Sequence, residues 1–408
     1  MSSCCSSSMK PTLPKLATEL VELIACWLGP ADLCSLRLVC NDLCQKSIRS
    51  FGASFATIRT DLSRKSLQKL QVISEDDNLR LHVQTLVILQ CKGEKLGQDF
   101  LWHRHSSGYL EAPLPGLEKL QYLLAHNLPN CRSFHIYNPG GVKTDYDAIT
   151  TSDVVALILR IVPSISNDAS NSLPVKSFIV GPTSPTVVVT PRFTGTIDAK
   201  RLQMWRYRRP SFQKAWAHIQ ELVLHLVFTP TTLDWGMDLI SNATSLRKLS
   251  LDFNYSYSRP FLERLCQVTS LHSLESFKLA CAQTSVEILS RLIGRWHDTL
   301  RVLSLSKIYL QRLTDWPIVL GQLRDQAPSL HSVSIYSLAN PDPAANEIIT
   351  FNNLTTDPVV PESGGRTFTL IKDRKWRAMI GVEYQGPRVD KALDKLLKEM
   401  QYCQEITF

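Results

Sequence analysis

From Thr18 onward the apolar residues Leu20, Leu23, Ile24, Trp27 and Leu28 fall three and four positions apart, the spacing of one helix face. Thr18 is placed as an N-cap, with Glu19 and Glu22 in the first turn, and Gly29-Pro30 ends the helix. The pattern predicts a second helix from about Asp32, carrying Leu33, Leu36, Val39, Cys40 and Leu43. Val21, Cys34 and Leu38 add apolar surface on other faces, so residues 19–40 hold 15 apolar residues out of 22. Helices that are hydrophobic nearly all round must be buried, and a unit of about 40 residues has too little mass to cover them. The surplus is covered either by the rest of the chain, as a cap, or by another protein, as a docking module.

A second pattern begins later and repeats. The motif apolar-x-x-apolar-x-apolar occurs at Val83, Leu86, Ile88; Cys131, Phe134, Ile136; Val175, Phe178, Val180; and Ile219, Leu222, Leu224. It continues at Leu246, Leu249, Leu251; Leu274, Phe277, Leu279; Leu300, Leu303, Leu305; and Leu330, Val333, Ile335. Starts are separated by 48, 44, 44, 27, 28, 26 and 30 residues. Between the later copies TTLDWGMDLI, PFLERLCQV, SVEILSRLIGRW and WPIVLGQLRDQ read as helices. A strand followed by a helix at a near-constant period buries its apolar faces by stacking on its neighbours, with parallel strands on one side and helices on the other. The longer spacings hold Pro-, Gly-, Ser- and Thr-rich loops. Near the end, TFTLI and AMIGVEY read as a strand pair, and Val389 to Cys403 as an amphipathic capping helix.

The 408 residues are 44% hydrophobic and 20% charged, which suits a large core. The net charge of +8 is a balance of 45 basic against 37 acidic residues and is no argument for nucleic acid. No window has the roughly 18 uninterrupted apolar residues of a membrane span. The start, MSSCCSSSMK, lacks the pattern of a signal peptide and reads as a disordered Ser-rich tail. The eleven cysteines, mostly inside apolar runs like Cys26, Cys34, Cys266 and Cys281, read as reduced core residues of a cytoplasmic or nuclear protein.

Candidate chemistry is sparse. Gly140-Gly141-Val142-Lys143-Thr144 lacks the upstream glycine of a phosphate loop. His103 and His105 have no acidic or cysteine cluster near them at metal-ligand spacing. In RLQMWRYRRP, Arg201, Arg206, Arg208 and Arg209 surround Trp205 and Tyr207, a mixture that suits stacking on single-stranded nucleic acid or, equally, a charged face with its aromatics turned inward. No nucleophile and base can be paired. The expectation is a protein that is not an enzyme, with no catalytic residue, cofactor, metal or small-molecule substrate.

The stretch from Leu13 to Leu43 resembles the F-box, most closely that of fungal F-box proteins. The matching positions are Glu19-Leu20, Ile24 to Leu28, Asp32-Leu33, Leu36, Arg37, Val39 and Cys40, while Ala17 stands where the family has proline. The repeat pattern resembles leucine-rich repeats of the long, helix-backed kind. Together these imply an α/β chain arranged as a tail (1–12), an all-α three-helix F-box (13–60), an irregular leucine-rich-repeat-like solenoid (61–387) and a capping helix (388–408). The resemblance further implies a substrate-recognition adaptor of a Skp-cullin-F-box ubiquitin ligase. In such a protein Leu16, Leu20, Leu23, Ile24, Leu28, Leu33, Leu36, Val39 and Cys40 would meet the Skp-type adaptor, and through it cullin. An unknown target protein would meet the strand residues between the leucines: Lys248, Ser250, Asp252, Ser276, Lys278, Ser304, Ser306, Ser334 and Tyr336. The alternatives are a scaffold or regulator acting outside the ligase and, more remotely, nucleic-acid binding through residues 201–209. No membrane partner is expected.

Overall fold

The computed structural model describes residues 13–90, 95–111, 114–137, 149–167, 174–181, 196–203, 207–339, 347–355, 357, 359, 367–372 and 378–404. The tail at 1–12, the glycine run at 140–144, Trp205, Arg206 and most of the Pro- and Ser-rich loops lie outside these residues.

The chain opens with four short helices, α1 (Thr18–Ala25), α2 (Pro30–Val39), α3 (Asn41–Lys46) and α4 (Ile48–Ala53). Strands and helices then alternate: β1 (Thr57–Thr60), α5 (Arg64–Glu75), β2 (Thr85–Ile88), α6 (Pro115–Tyr122), β3 (Ser133–Ile136), α7 (Thr151–Asn167), β4 (Ser177–Val180), α8 (Pro210–Trp216) and β5 (Glu221–His225). The alternation continues through α9 (Pro230–Asn242), β6 (Lys248–Asp252), α10 (Ser258–Leu265), β7 (Ser276–Thr284), α11 (Val286–Arg295), β8 (Val302–Leu310), α12 (Trp316–Gln326) and β9 (Ser332–Tyr336). The chain closes with β10 (Glu347–Thr350), β11 (Thr369–Lys372), β12 (Met379–Gln385), α13 (Val389–Glu399) and β13 (Gln401–Gln404).

The fold is α/β. Eleven strands form one sheet in which β1 to β9 lie in sequence order, each parallel to the next, before β12 and β11 add antiparallel at the end. The eight apolar triplets coincide with β2 to β9, and their residues are buried. Leu86, Phe134, Phe178, Leu222, Leu249, Phe277, Leu303 and Val333 are successive cross-strand partners. Ile88, Ile136, Val180, Leu224, Leu251, Leu279, Leu305 and Ile335 form a second ladder beside them. Burial alternates along the strands, as in β5 and β9. One face is therefore packed under the helices and the other is left open, unlike most parallel sheets.

One backbone pattern marks the start of each strand. The carbonyl of Ala56 accepts the amides of Gln84 and Thr85, that of Gln84 accepts those of Arg132 and Ser133, and the pattern repeats at Arg132, Lys176, Gln220, Arg247, Glu275 and Arg301. Units spaced 48 residues apart and units spaced 26 apart are thus geometrically equivalent. The pattern also includes β1, which the sequence motif misses because Thr60 occupies the third apolar position. The sheet accordingly begins at Thr57, inside the segment assigned above to the helical module. A further regularity is a left-handed residue just past the fifth strand position of three successive units, at Cys281 (φ 49°), Lys307 (φ 53°) and Ser337 (φ 54°).

The structure corrects three local expectations. Ala17, not Thr18, is the N-cap of α1, and it has no side-chain cap. The second helix starts at Pro30 and breaks at Cys40, whose extended backbone (φ −163°, ψ 163°) separates α2 from α3. At the other end the helix stops at Glu399, and β13 pairs antiparallel with β10, so the last segment is a helix plus a strand. Ala17 has φ −60° and ψ 151°, values that proline adopts freely. Ala17→Pro is therefore expected to stabilise the protein by about 0.4–1 kcal/mol in urea unfolding, and a loss instead would mean that Leu16 cannot precede a proline ring.

One buried carboxylate ties two insertions to α7. Asp153 has a fully buried side chain. Arg104 grips it bidentately at 2.8 Å to each oxygen, and Arg201 reaches Oδ2 at 2.8 Å. Thr150 adds its amide at 2.8 Å and its hydroxyl at 2.9 Å. Burial is the largest single influence on Asp153 and pushes its pKa up. The Arg104 hydrogen bond, the Thr150 amide and the charges of both arginines outweigh it and hold the carboxyl below its usual range.

Candidate functional site

The helical unit at the N-terminus buries little of itself. Val21, Ala25, Leu33 and Leu43 are its buried apolar side chains, and they stand apart from the continuous core, which begins at Leu62. Its own bonds hold it together. The Lys46 ammonium donates to the carbonyls of Pro14 and Leu16 and pairs with Asp42. Arg37 lies over the Phe51 ring and donates to the Cys44 carbonyl. Gly52 of α4 packs on the loop between α5 and β2, where a Cβ would lie 2.3 Å from the His82 ring.

What the unit leaves uncovered is apolar. Among the described residues fourteen large apolar side chains are exposed, and seven of them lie between Leu13 and Val39. On α1 and the turn after it they form a stripe at helical spacing: Leu20, Leu23, Ile24 and Trp27. Trp27 is 87% exposed, and at the end of α2 Leu38 is 86% exposed and Val39 67%. Beside the stripe an open groove of about 720 Å³ runs between α1, the start of α2 and α4. Leu23, Cys26, Leu28, Pro30 and Ala53 are among its lining residues, with Glu19, Glu22 and Arg49 also on it. The downstream sheet does not cover this surface, so the cap arrangement is not the one adopted.

The predicted docking residues divide accordingly. Leu20, Leu23, Ile24 and Val39 are exposed, and Leu16, Leu28, Leu36 and Cys40 are half-buried. Leu33 is 4% exposed, belongs to the small core of the unit and also lines the groove. Leu33→Ala is expected to cost about 2–5 kcal/mol of the helical unit's stability, visible as an early transition in thermal unfolding by circular dichroism. Trp27 and Leu38 are the most exposed apolar residues of the unit, and period alone does not tell which side of so apolar a helix is inward. Cys26 and Cys34, expected in the core, are also exposed, and Cys266 is partly so.

The second candidate surface is the open face of β6 to β9, and strand register brings the predicted residues together there. Lys248, Ser276, Val302 and Ser332 form one row, and Ser250, Lys278, Ser304 and Ser334 the next. Asp252, Ala280, Ser306 and Tyr336 form the third. Val302, Ser332 and Ala280 belong to this surface and were not predicted. Asp252 is the correction here. It is 1% exposed, its Oδ1 accepts the Asn254 amide, and it is not free to meet a partner. Next to it His225 shares a 2.9 Å hydrogen bond with the Ser250 hydroxyl. Burial is the main cause that holds the His225 pKa down, against the pull of Asp252, and burial pushes the Cys281 thiol up to about 12. The raised pKa keeps the Cys281 thiol protonated at pH 7.

Within the basic aromatic stretch Arg201 and Tyr207 are tied into the fold, Arg208 and Arg209 are exposed, and Trp205 and Arg206 lie outside the described residues. Tyr207 is buried against Phe212, and its hydroxyl donates to the Leu202 carbonyl. Arg201 is committed to Asp153, and Arg208 lies 3.6 Å from Asp238. A stacking platform for bases needs exposed rings, and Tyr207 is not one. His105 stacks on Tyr109, and its Nδ1 accepts the Ser107 amide. No cluster of three or more His, Cys, Asp or Glu side chains able to hold a metal occurs among the described residues, nor does any helix long and apolar enough to cross a membrane. No protein-family model matches the chain, and no curated protein matches it.

Proposed function

We propose that this protein is a non-enzymatic substrate-recognition adaptor of a Skp-cullin-F-box ubiquitin ligase, working in the cytoplasm or nucleus. The observation that carries the reading is the outward apolar stripe of Leu20, Leu23, Ile24 and Trp27 on a helical unit too small to bury it. A Skp-type adaptor supplies the missing cover, which agrees with the F-box resemblance of residues 13–43. The strand–helix units are read as an irregular leucine-rich-repeat-like solenoid, supported by eight apolar triplets that share one register. Its open face, with Lys248, Lys278 and the rows of serines, is the surface offered to a target protein.

The protein then acts by proximity. Holding a target near the ubiquitin-charged enzyme raises the local concentration of its lysines, and no catalytic side chain is asked of the adaptor. The test is affinity capture with a purified Skp-type adaptor, followed by capture of cullin. Binding of both is expected. Adaptor without cullin would mean a scaffold acting outside the ligase, and no adaptor binding would end the proposal.

A further inference from the structure

Four consecutive residues, Arg208, Arg209, Pro210 and Ser211, stand exposed where the chain enters α8. Buried rings hold them at both ends. Tyr207 and Phe212 meet edge-on with centroids 5.3 Å apart, Phe212 stacks on Trp216, and the Tyr207 hydroxyl donates to the Leu202 carbonyl. The residues between the two rings are therefore a short tip clasped at its base, and exposed tips of this kind are where other enzymes reach a folded chain. The backbone at Arg209 is extended (φ −74°, ψ 138°), and Ser211 is the second residue of α8, in the turn that frays most readily.

The chemistry of the tip is specific. The Ser211 hydroxyl makes no hydrogen bond to another group among the described residues. Exposed serines elsewhere are committed: Ser35 donates to the Ala31 carbonyl, Ser54 to that of Phe51 and Ser329 to that of Asp298. The Arg208 side chain is 72% exposed, and its contact with Asp238 is long, at 3.6 Å, so the pair is weak. A hydroxyl with guanidiniums at the second and third positions before it is read by an acidic kinase cleft through charge and bidentate hydrogen bonds. Two serines of the chain have basic residues at both of those positions: Ser211, and Ser250 after Arg247 and Lys248. The fold separates them. Ser250 lies inside β6, paired to β5 and β7, and its hydroxyl shares a hydrogen bond with His225. Of the two, Ser211 is the one presented to an enzyme.

We infer that Ser211 is a phosphorylation site for a serine/threonine kinase with an acidic substrate cleft, and that Arg208 and Arg209 are the residues such a kinase recognises. In the transfer Ser211 Oγ bonds to the γ-phosphorus of a nucleoside triphosphate and the bond from that phosphorus to the bridging oxygen breaks. The nucleoside diphosphate leaves, and the hydroxyl proton passes to a carboxylate of the kinase. The phosphate carries a charge of about −1.5 to −2 at pH 7, which offsets the charges of Arg208 and Arg209 and turns a basic tip into one near neutrality. The site does not depend on which protein covers α1.

The folded full-length chain tests it, with no adaptor present. The protein is incubated with magnesium-ATP and the purified catalytic subunit of cyclic-AMP-dependent protein kinase, whose cleft is of this acidic kind, and tandem mass spectrometry locates the phosphate. Phosphate on Ser211 is expected, and none on Ser250. In the double variant Arg208→Ala with Arg209→Ala the rate at Ser211 should fall by about tenfold or more, the effect of losing one charge-assisted hydrogen bond to the cleft. Both arginines are exposed, so that variant should melt close to the wild type, which separates lost recognition from lost folding. No phosphate on Ser211, a rate at Ser211 undiminished in the double variant, or phosphate on Ser250 at a comparable rate would each overturn the inference.

Discussion

Replacing Asp153 by alanine is expected to destabilise the protein by about 3–5 kcal/mol, the largest single effect on stability predicted here. The cost is not the loss of one favourable pair. Arg104 and Arg201 converge on this carboxylate with side chains 5% and 15% exposed, so its removal leaves two guanidiniums facing each other in a poorly solvated site. Thr150 at the start of α7 loses both of its bonds to the carboxylate as well. Urea unfolding measures the change, and Asp153→Asn isolates the charge from the hydrogen bonds. If the cost is below about 1 kcal/mol, the clasp is better solvated than its burial implies. The pH dependence has a defined sign. The folded carboxyl titrates below its unfolded value of about 3.9, so its contribution is complete above that pH and is lost as pH falls below it. Wild type should therefore lose stability on acidification more steeply than Asp153→Ala.

That clasp was hidden in the sequence for a physical reason. Its three charged members come from segments 48 and 49 residues apart and share no local period. The sheet was legible for the opposite reason: each unit buries three apolar residues at fixed spacing, and every one of the eight motifs became a strand in register with its neighbours. Where the third position is polar, as at Thr60, the strand forms all the same because the backbone bonds to β2 do not need a leucine. The helical unit was legible in period but not in orientation. Leu33 and Leu38 are both apolar residues of α2, and only packing on α3 and α4 decides that the first is buried and the second exposed. Asp252 belongs with them: strand alternation places it on the open face, yet the Asn254 amide binds it where it is covered. The kinks at Cys281, Lys307 and Ser337 carry no glycine to announce them.

Trp27→Asp combined with Leu38→Asp is expected to weaken binding to a Skp-type adaptor by at least about 100-fold while leaving the fold intact. Both side chains are more than four-fifths exposed in the free protein, so neither contributes a buried contact to the helical unit. Exchanging them for carboxylates should leave thermal unfolding unchanged or slightly improved. In a complex the balance reverses. Burying one large apolar side chain is worth about 1.5–3 kcal/mol, aromatic anchors often exceed that, and a carboxylate in the same place adds a desolvation cost. Two such losses comfortably exceed the roughly 2.8 kcal/mol that corresponds to 100-fold. Titration calorimetry on the full-length chain reads the affinity, with Val72→Asp as the control, because Val72 is an exposed apolar residue of α5 outside the helical unit. A double variant that binds as tightly as the wild type would place the adaptor elsewhere. The same loss for Val72→Asp would show that binding follows general surface apolarity and not the stripe on α1.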